Sequence, residues 1–316
     1  MKNLVFKFGI LAVIMGFISC SDDDNTDNQD PNSETYNTSV AITDAPIDNA
    51  NVSAAVVTIT DVKIDGVSIE GFSKTTIDLM TLQNGTTSTL GNIDLKAGTV
   101  SNVSIVLDYE ADAEGNFPGA YIETVDGVKH QLETSVNEIS INDEVEIIAS
   151  STNEIIIDFD LRKTIVESGE TTDQYDFVTN AELCAGLRLV NSLKAGTVTG
   201  TVSDTEETAD MVVVYAYESG TYMAAEAEAQ GESNIQFANA VTSSIVNSAD
   251  SSYELNFLSE GNYEVHYASY SDEDEDGEYE FNGMLSVESL TDIETNNIHV
   301  TSSINLSLNV IVTGSL

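Results

Sequence analysis

Six carboxylates crowd into the seven residues from Asp272 to Glu278, within the stretch SYSDEDEDGEYEF. Asp272, Asp274 and Asp276 alternate ahead of Gly277, which is the D-x-D-x-D-G opening of a calcium loop. In such a loop alternate side chains converge on one ion, and the glycine permits the sharp turn. Continuing the pattern puts the Glu278 carbonyl at the seventh position and Glu280 at the ninth. The twelfth position, where a bidentate Glu closes the shell, is Gly283. A calcium site here therefore needs a ligand from elsewhere, with the millimolar-range affinity of extracellular modules. The competing reading is a solvated acidic hairpin tip, which a chain this acidic supplies readily.

A second carboxylate arrangement is Asp158 and Asp160 in EIIIDFDL. On one strand they point the same way, roughly 6–7 Å apart, a separation close to that of some glycosidase acid/base pairs. With 54 acidic residues in the chain, such a pair also arises by chance, as one face of a polar strand. His130, His266 and His299 are far apart, and each lacks a partner at metal-ligand spacing. Nucleophile-elbow, zinc-protease, phosphate-loop and dinucleotide signatures are all absent from the sequence. Sugar platforms favour Trp, of which there is none. Tyr270 and Tyr279, at the edges of the acidic loop, are the aromatic candidates for a glycan contact.

Only 10 Lys and Arg oppose the acids, for a net charge of −44. Repulsion from a phosphate backbone excludes nucleic acid as a partner. Lys2 and Lys7 flank the start of an apolar run, Phe8 to Ile18. That run is too short to span a bilayer but suits a secretory signal. Ser19 before Cys20 looks like a lipoprotein cleavage box, so residues 1–19 are read as a signal peptide and Cys20 as the lipid-bearing thiol. The acidic run Ser21 to Asp24 resembles the surface-export signal of Bacteroidetes-type lipoproteins. This predicts an outer-membrane protein, lipid-anchored and facing the cell exterior. An acylated Cys20 leaves Cys184 without a disulfide partner, and its apolar neighbours mark it as a small buried hydrophobe.

Residues 20–36 are almost all polar and read as a disordered acidic tether. From Thr38 onward, short alternating segments are broken by turn signals every ten or so residues, which predicts a mainly β chain. Val103, Ile105, Leu107 and Tyr109 share one face. Asp65-Gly66, Asn84-Gly85 and Asp126-Gly127 are dipeptides suited to positive φ. The best candidate for a short helix is Leu161 to Ser168. In YELNFLSEGNYEVHY the alternation predicts a hairpin, with Tyr253, Leu255 and Phe257 on the face that Tyr263, Val265 and Tyr267 match after a turn at Glu260-Gly261. LKAGTV occurs at both 95–100 and 193–198, read as two turns before two strands.

The segments SVAITDAPIDNANVSAAVVTITDVKIDGV, TIDLMTLQNGTTSTLGNIDLKAGTVSNVSIVLD and IIIDFDLRKTIV resemble a bacterial lipoprotein domain known as domain of unknown function 4382. The resemblance runs from about Val40 to Val190 and includes Thr43, Asp44, Ala45 and Pro46. It implies an envelope location and a β-rich fold and brings no established activity. Beyond Ala195, AGTVTGTVSD, MVVVYAYE, SYELNFLSEGNYEVHYASY and INLSLNVIV look like a transthyretin-like or carboxypeptidase-regulatory-like β-sandwich, an accessory module found with many functions.

The expectation is therefore two β-sandwich-like domains, at 37–194 and 195–316, behind the signal peptide and tether. The predicted role is a non-catalytic binding or structural module, with a glycan or an envelope protein as partner. The alternatives are a carboxylate-based hydrolase of extracellular glycans and a calcium-stabilised spacer. Calcium is the only cofactor implied.

Overall fold

The computed structural model describes residues 34–47, 49, 51–167, 174–206, 208–272 and 279–316. The described residues are mainly β, as the alternation predicts, with 54% strand and 8% helix. Among the described residues, strand Asn153–Asp160 lies inside a four-stranded sheet ordered Leu187–Asn191, Asn153–Asp160, Thr35–Ala45, Ser88–Lys96. Thr35–Ala45 runs parallel to Asn153–Asp160, and the other pairings are antiparallel.

A second sheet is built around the long strand Val52–Ile64, with Val103–Leu107 and Tyr121–Thr124 beside it. The two sheets face each other. Ile155, Ile157 and Phe159 from the first meet Val57, Ile59, Ile105 and Leu107 from the second in one continuous core. A bulge between Ile59 and Asp61 shifts the register. Because side chains alternate with period two, that single slip lets both Ile59 and Val62 point inward. Asp65 and Gly66 close a turn with φ of 53° and 75°.

The outer face of the first sheet is covered as well. Ala41, Ile156 and Val190 pack with Ala195 and Phe257 from the C-terminal region. Burial on both faces explains why the central strand reads as an unbroken apolar run up to Ile157.

From Ala195 the chain forms a nine-stranded sheet among the described residues. Its main path is Thr242–Ile245, Met211–Glu218, Gly261–Ser271, Glu280–Ser289, Val310–Ser315, Ala195–Ser203, Ser252–Ser259. The sheet curls until its two end strands lie side by side, where the Glu254 amide donates to Ser244 Oγ at 3.2 Å. Val198, Val214, Leu255, Val265, Leu308 and Val310 fill the interior. On the outer face of Met211–Glu218, Val213 and Tyr215 form a separate apolar layer with Phe237 and Tyr270.

The segment expected to be a hairpin is an arch. Ser252–Ser259 pairs with Ala195–Ser203, whereas Gly261–Ser271 pairs with Met211–Glu218 and Glu280–Ser289. The two strands stand on opposite walls, so their matching faces meet through side chains instead of a ladder. The hydroxyls of Tyr253 and Tyr267 lie 3.0 Å apart, and their rings meet edge to face at 6.0 Å. The parity also breaks at Phe257, whose φ is +53°. Leu258 takes the inward place at 0% exposure, and Phe257 turns out toward the first sheet.

The expected helix over Leu161 to Ser168 is a single turn, Leu161–Thr164, followed by strand Ile165–Glu167. The β-branched run Thr164, Ile165, Val166 favours extended backbone and stops it. A second short helix, Asn180–Ala185, which the sequence reading did not pick out, opens with a capping box in which Thr179 and Glu182 satisfy each other's backbone amides. Glu182 also accepts from the Glu232 amide at 2.8 Å and Ser233 Oγ at 2.5 Å, tying this helix to the C-terminal region. Burial alone would raise the Glu182 carboxyl, but the hydrogen bonds from Ser233, Thr179 and Glu232 outweigh it and bring it down to about 2.

Two predictions follow from these contacts. A Cβ on Gly200 would sit 1.9 Å from the Leu308 carbonyl oxygen. Gly200→Ala should therefore cost about 1–3 kcal/mol, read as a lower urea midpoint with an unchanged m-value. For Glu182 the folded value lies below the ordinary 4.5, so its stabilisation is present above 4.5 and lost as pH falls toward 2. Glu182→Gln should cost about 1–2 kcal/mol at pH 7, and the difference from wild type should shrink over that acidic window in melting curves.

Candidate functional site

Strand Asn153–Asp160 delivers Asp158 and Asp160 to the seam between the first sheet and the C-terminal layers, and both are buried, at 2% and 3% exposure. This corrects the polar-face reading, because that face is covered by protein. Arg188, directly opposite Asp158 on the neighbouring strand, donates from Nε at 2.8 Å and approaches with Nη2 at 2.7 Å, both to Oδ2. Its Nη1 donates across the seam to the Phe257 carbonyl at 2.6 Å. Asp160 Oδ2 is held by Arg162 Nη2 at 3.1 Å and Lys163 Nζ at 3.6 Å. Arg162 also reaches across, donating to the Gln236 and Phe237 carbonyls at 3.0 and 2.8 Å, while its guanidinium lies 5.3 Å from the centre of the Tyr215 ring.

Asp44, at the end of strand Thr35–Ala45, joins the cluster at 6% exposure. Its Oδ1 accepts from the Leu161 amide at 3.3 Å, which caps the first turn of the short helix. Burial, reinforced by the nearby Asp158 and Asp160 carboxylates, holds the Asp44 carboxyl well above the usual carboxylate range. Burial also raises Asp158, against the opposing pull of Arg188. Lys163 is lowered, chiefly by burial. Asp44 and Asp158 line a narrow cavity of about 20 Å³ together with Ser243, Asn84 and Asn256.

The sequence had offered Asp158 and Asp160 as a pair. It did not single out Asp44, Arg162, Lys163 or Arg188 as their partners. A signal was present: the chain contains two arginines, and both lie here.

The acidic loop is seen only at its ends. Asp272, Tyr279 and Glu280 are described, whereas Asp274, Asp276 and Glu278, like Cys20, fall outside the described residues. Among the described residues no three His, Cys, Asp or Glu form a metal cluster. Tyr270 cannot serve as a sugar platform, because it is 2% exposed and its hydroxyl lies 2.6 Å from that of Tyr215. The reason is its inward place in the Phe237 layer. Tyr279 is half-buried and borders two clefts of about 460 and 420 Å³. The second cleft adds Phe281, Asn49, Gln236, Glu167 and Glu280 to its wall.

The histidines are on separate strands. His266 stacks on Tyr222 at 3.7 Å and lies 3.2 Å from Glu264, with burial lowering its pKa. His130 meets Tyr175 edge-on, and His299 pairs with Asn262 at 2.9 Å. Cys184 is a free thiol, half-buried against the N-terminal core, so it is more accessible than its neighbours suggested.

Residues 37–178 match the family described as "Domain of unknown function (DUF4382)". No curated protein matches the chain. Solved structures similar to it include "The Bacillus anthracis TIE protein", 11% identical over 88% of this chain and 34% of that one, with a TM-score of 0.20. This chain thus spans about a third of that protein's length. BcpA, the major pilin subunit of Bacillus cereus, is 10% identical over 89% of this chain and 71% of its own, with a TM-score of 0.23. GBS52, the minor pilin of Streptococcus agalactiae, is 9% identical over 88% and 98%, with a TM-score of 0.20.

Removing Arg188 would leave Asp158 as a buried charge without its partner. Arg188→Ala should cost about 3–5 kcal/mol, and Arg188→Ala combined with Asp158→Asn should recover a measurable part of it. A double-mutant cycle in chemical denaturation measures that coupling.

Proposed function

We propose that this protein is a non-catalytic binding or structural module of the cell envelope, lipid-anchored through Cys20 and displayed at the outer surface. The observation that supports the non-catalytic reading is the placement of Asp158 and Asp160. A glycosidase pair must face a cleft, with one acid able to carry a proton to the substrate and the other able to act as base or nucleophile. Here both are sealed in a seam, and arginines hold one oxygen of each. They act as structural anchors between two β regions, and the hydrolase alternative loses the pair that motivated it.

The anchor reading rests on the N-terminal pattern alone: two lysines, a short apolar run, Ser19-Cys20 and an acidic stretch. In this reading residues 1–19 are removed and 20–36 act as a tether. Residues 37–194 and 195–316 are then two domains, the second transthyretin-like. A glycan or an envelope protein is the proposed partner. The cleft beside Tyr279 supports the glycan, because an aromatic ring, two carboxamides and two carboxylates combine apolar stacking with planar hydrogen-bonding groups. The calcium-stabilised spacer is a second reading, favoured by the alternating Asp272, Asp274 and Asp276 before Gly277.

Metabolic labelling with a fatty-acid probe should mark the wild type and not Cys20→Ala, which should appear in the soluble fraction. On a polysaccharide array, retention that Tyr279→Ala abolishes without loss of folding would support the cleft. Absence of binding to any glycan or purified envelope protein would remove the binding reading. Turnover on a glycan and peptide panel would overturn the non-catalytic one.

A further inference from the structure

We propose that the narrow cavity in the seam is a binding site for one small hard cation, of the calcium or sodium class, held between Asp44 and Asp158 of the first sheet and Ser243 of the C-terminal region.

Three side chains point to it independently of the ion pairs. Asp44 Oδ2, Asp158 Oδ1 and Ser243 Oγ are buried oxygens without a hydrogen-bond partner, on residues that are 6%, 2% and 4% exposed. All three residues line the same cavity. Buried polar atoms are almost always satisfied, and three exceptions around one space call for a guest that satisfies them together. A volume of about 20 Å³ admits one small guest.

The chemistry of the wall selects its kind. Asn84, Asn256 and Glu254 also line the space, with the Asn256 carboxamide oxygen already accepting from Thr197 Oγ1 at 3.2 Å, while no Lys, Arg or His lines it. Oxygen-only donors, anionic and neutral, suit hard cations. Both arginines are already committed outside it, because Arg188 binds the other oxygen of Asp158 and Arg162 is turned to Asp160. The three acids do not form a tight metal cluster, so two carboxylates with neutral oxygens describe the shell, and the affinity is weak. The net charge of −44 raises the local cation concentration in compensation.

Thermal melting of the full soluble chain in calcium chloride, in sodium chloride and in choline chloride at equal ionic strength separates binding from screening. Calcium at about 10 mM, or sodium at matched ionic strength, should raise Tm by about 3–5 °C beyond choline. The rise should persist in Asp274→Ala, which disables the acidic loop, and be lost in Asp44→Asn. Ser243→Ala removes an oxygen that has no hydrogen-bond partner, so it should fold normally and still lose at least half of the rise. It reads the site even if Asp44→Asn fails to fold. Equal melting in all three salts would overturn the proposal and leave the cavity to a water molecule. A rise that survives in Ser243→Ala and vanishes only in Asp274→Ala would also overturn it, and would support the loop reading instead.

Discussion

The neutralisation of two buried aspartates by the chain's two arginines is the constraint on which the rest of the architecture depends. A carboxylate taken out of water costs several kcal/mol unless it is paired and hydrogen-bonded. Asp158 and Asp160 sit on a strand whose Ile155, Ile156, Ile157 and Phe159 are committed to two apolar faces, so they cannot move to the surface without dragging Ile155, Ile157 and Phe159 out of the core. The arginines must come to them. Each arginine has donors left over after its carboxylate, and the Phe257, Gln236 and Phe237 carbonyls across the seam accept them. Satisfying the charges therefore also joins the two β regions.

The same requirement shapes the C-terminal side. Phe257 has a left-handed φ that a phenylalanine rarely adopts. That conformation breaks the strand's alternation, presents the carbonyl to Arg188, and sends the ring onto Ala41, Ile156 and Val190. A regular strand would have placed Phe257 in the barrel interior, where Leu258 now fits. A local backbone cost of order 1–3 kcal/mol is balanced by a charge-assisted hydrogen bond and an apolar contact at the seam.

The chain's acidity follows a division of labour. Among the described residues most carboxylates lie at the surface, where solvent screens them; of the buried ones, Asp158 and Asp160 meet basic groups, whereas Glu226 accepts from the Asn239 amide. Glu182 is an intermediate case, a partly exposed acid whose neighbours donate enough hydrogen bonds to keep it ionised far into acid. Asp44 is the opposite case, buried beside other acids and holding its proton. One residue type thus serves as anchor, latch and proton holder according to its neighbours.

Alternation in the sequence was enough for the mainly β class, for most inward faces and for the positive-φ turn at Asp65-Gly66, because side-chain parity and glycine preference are local properties. The T-x-x-E box at Thr179 to Glu182 was equally local, and legible in principle. Parity could not say which strand pairs with which. The faces of Tyr253 and Tyr267 do match, yet their strands oppose each other across a core, since a hydrophobic pattern specifies what a strand hides and not where its backbone hydrogen bonds go. The spacing of Asp158 and Asp160 likewise set them on one side of one strand. Whether that side met solvent or a second β region depended on chain more than sixty residues away, at Gln236, Phe237 and Phe257. Tertiary packing made them anchors instead of a surface pair, because burial removes the water that would otherwise solvate each carboxylate and leaves the arginine as its partner.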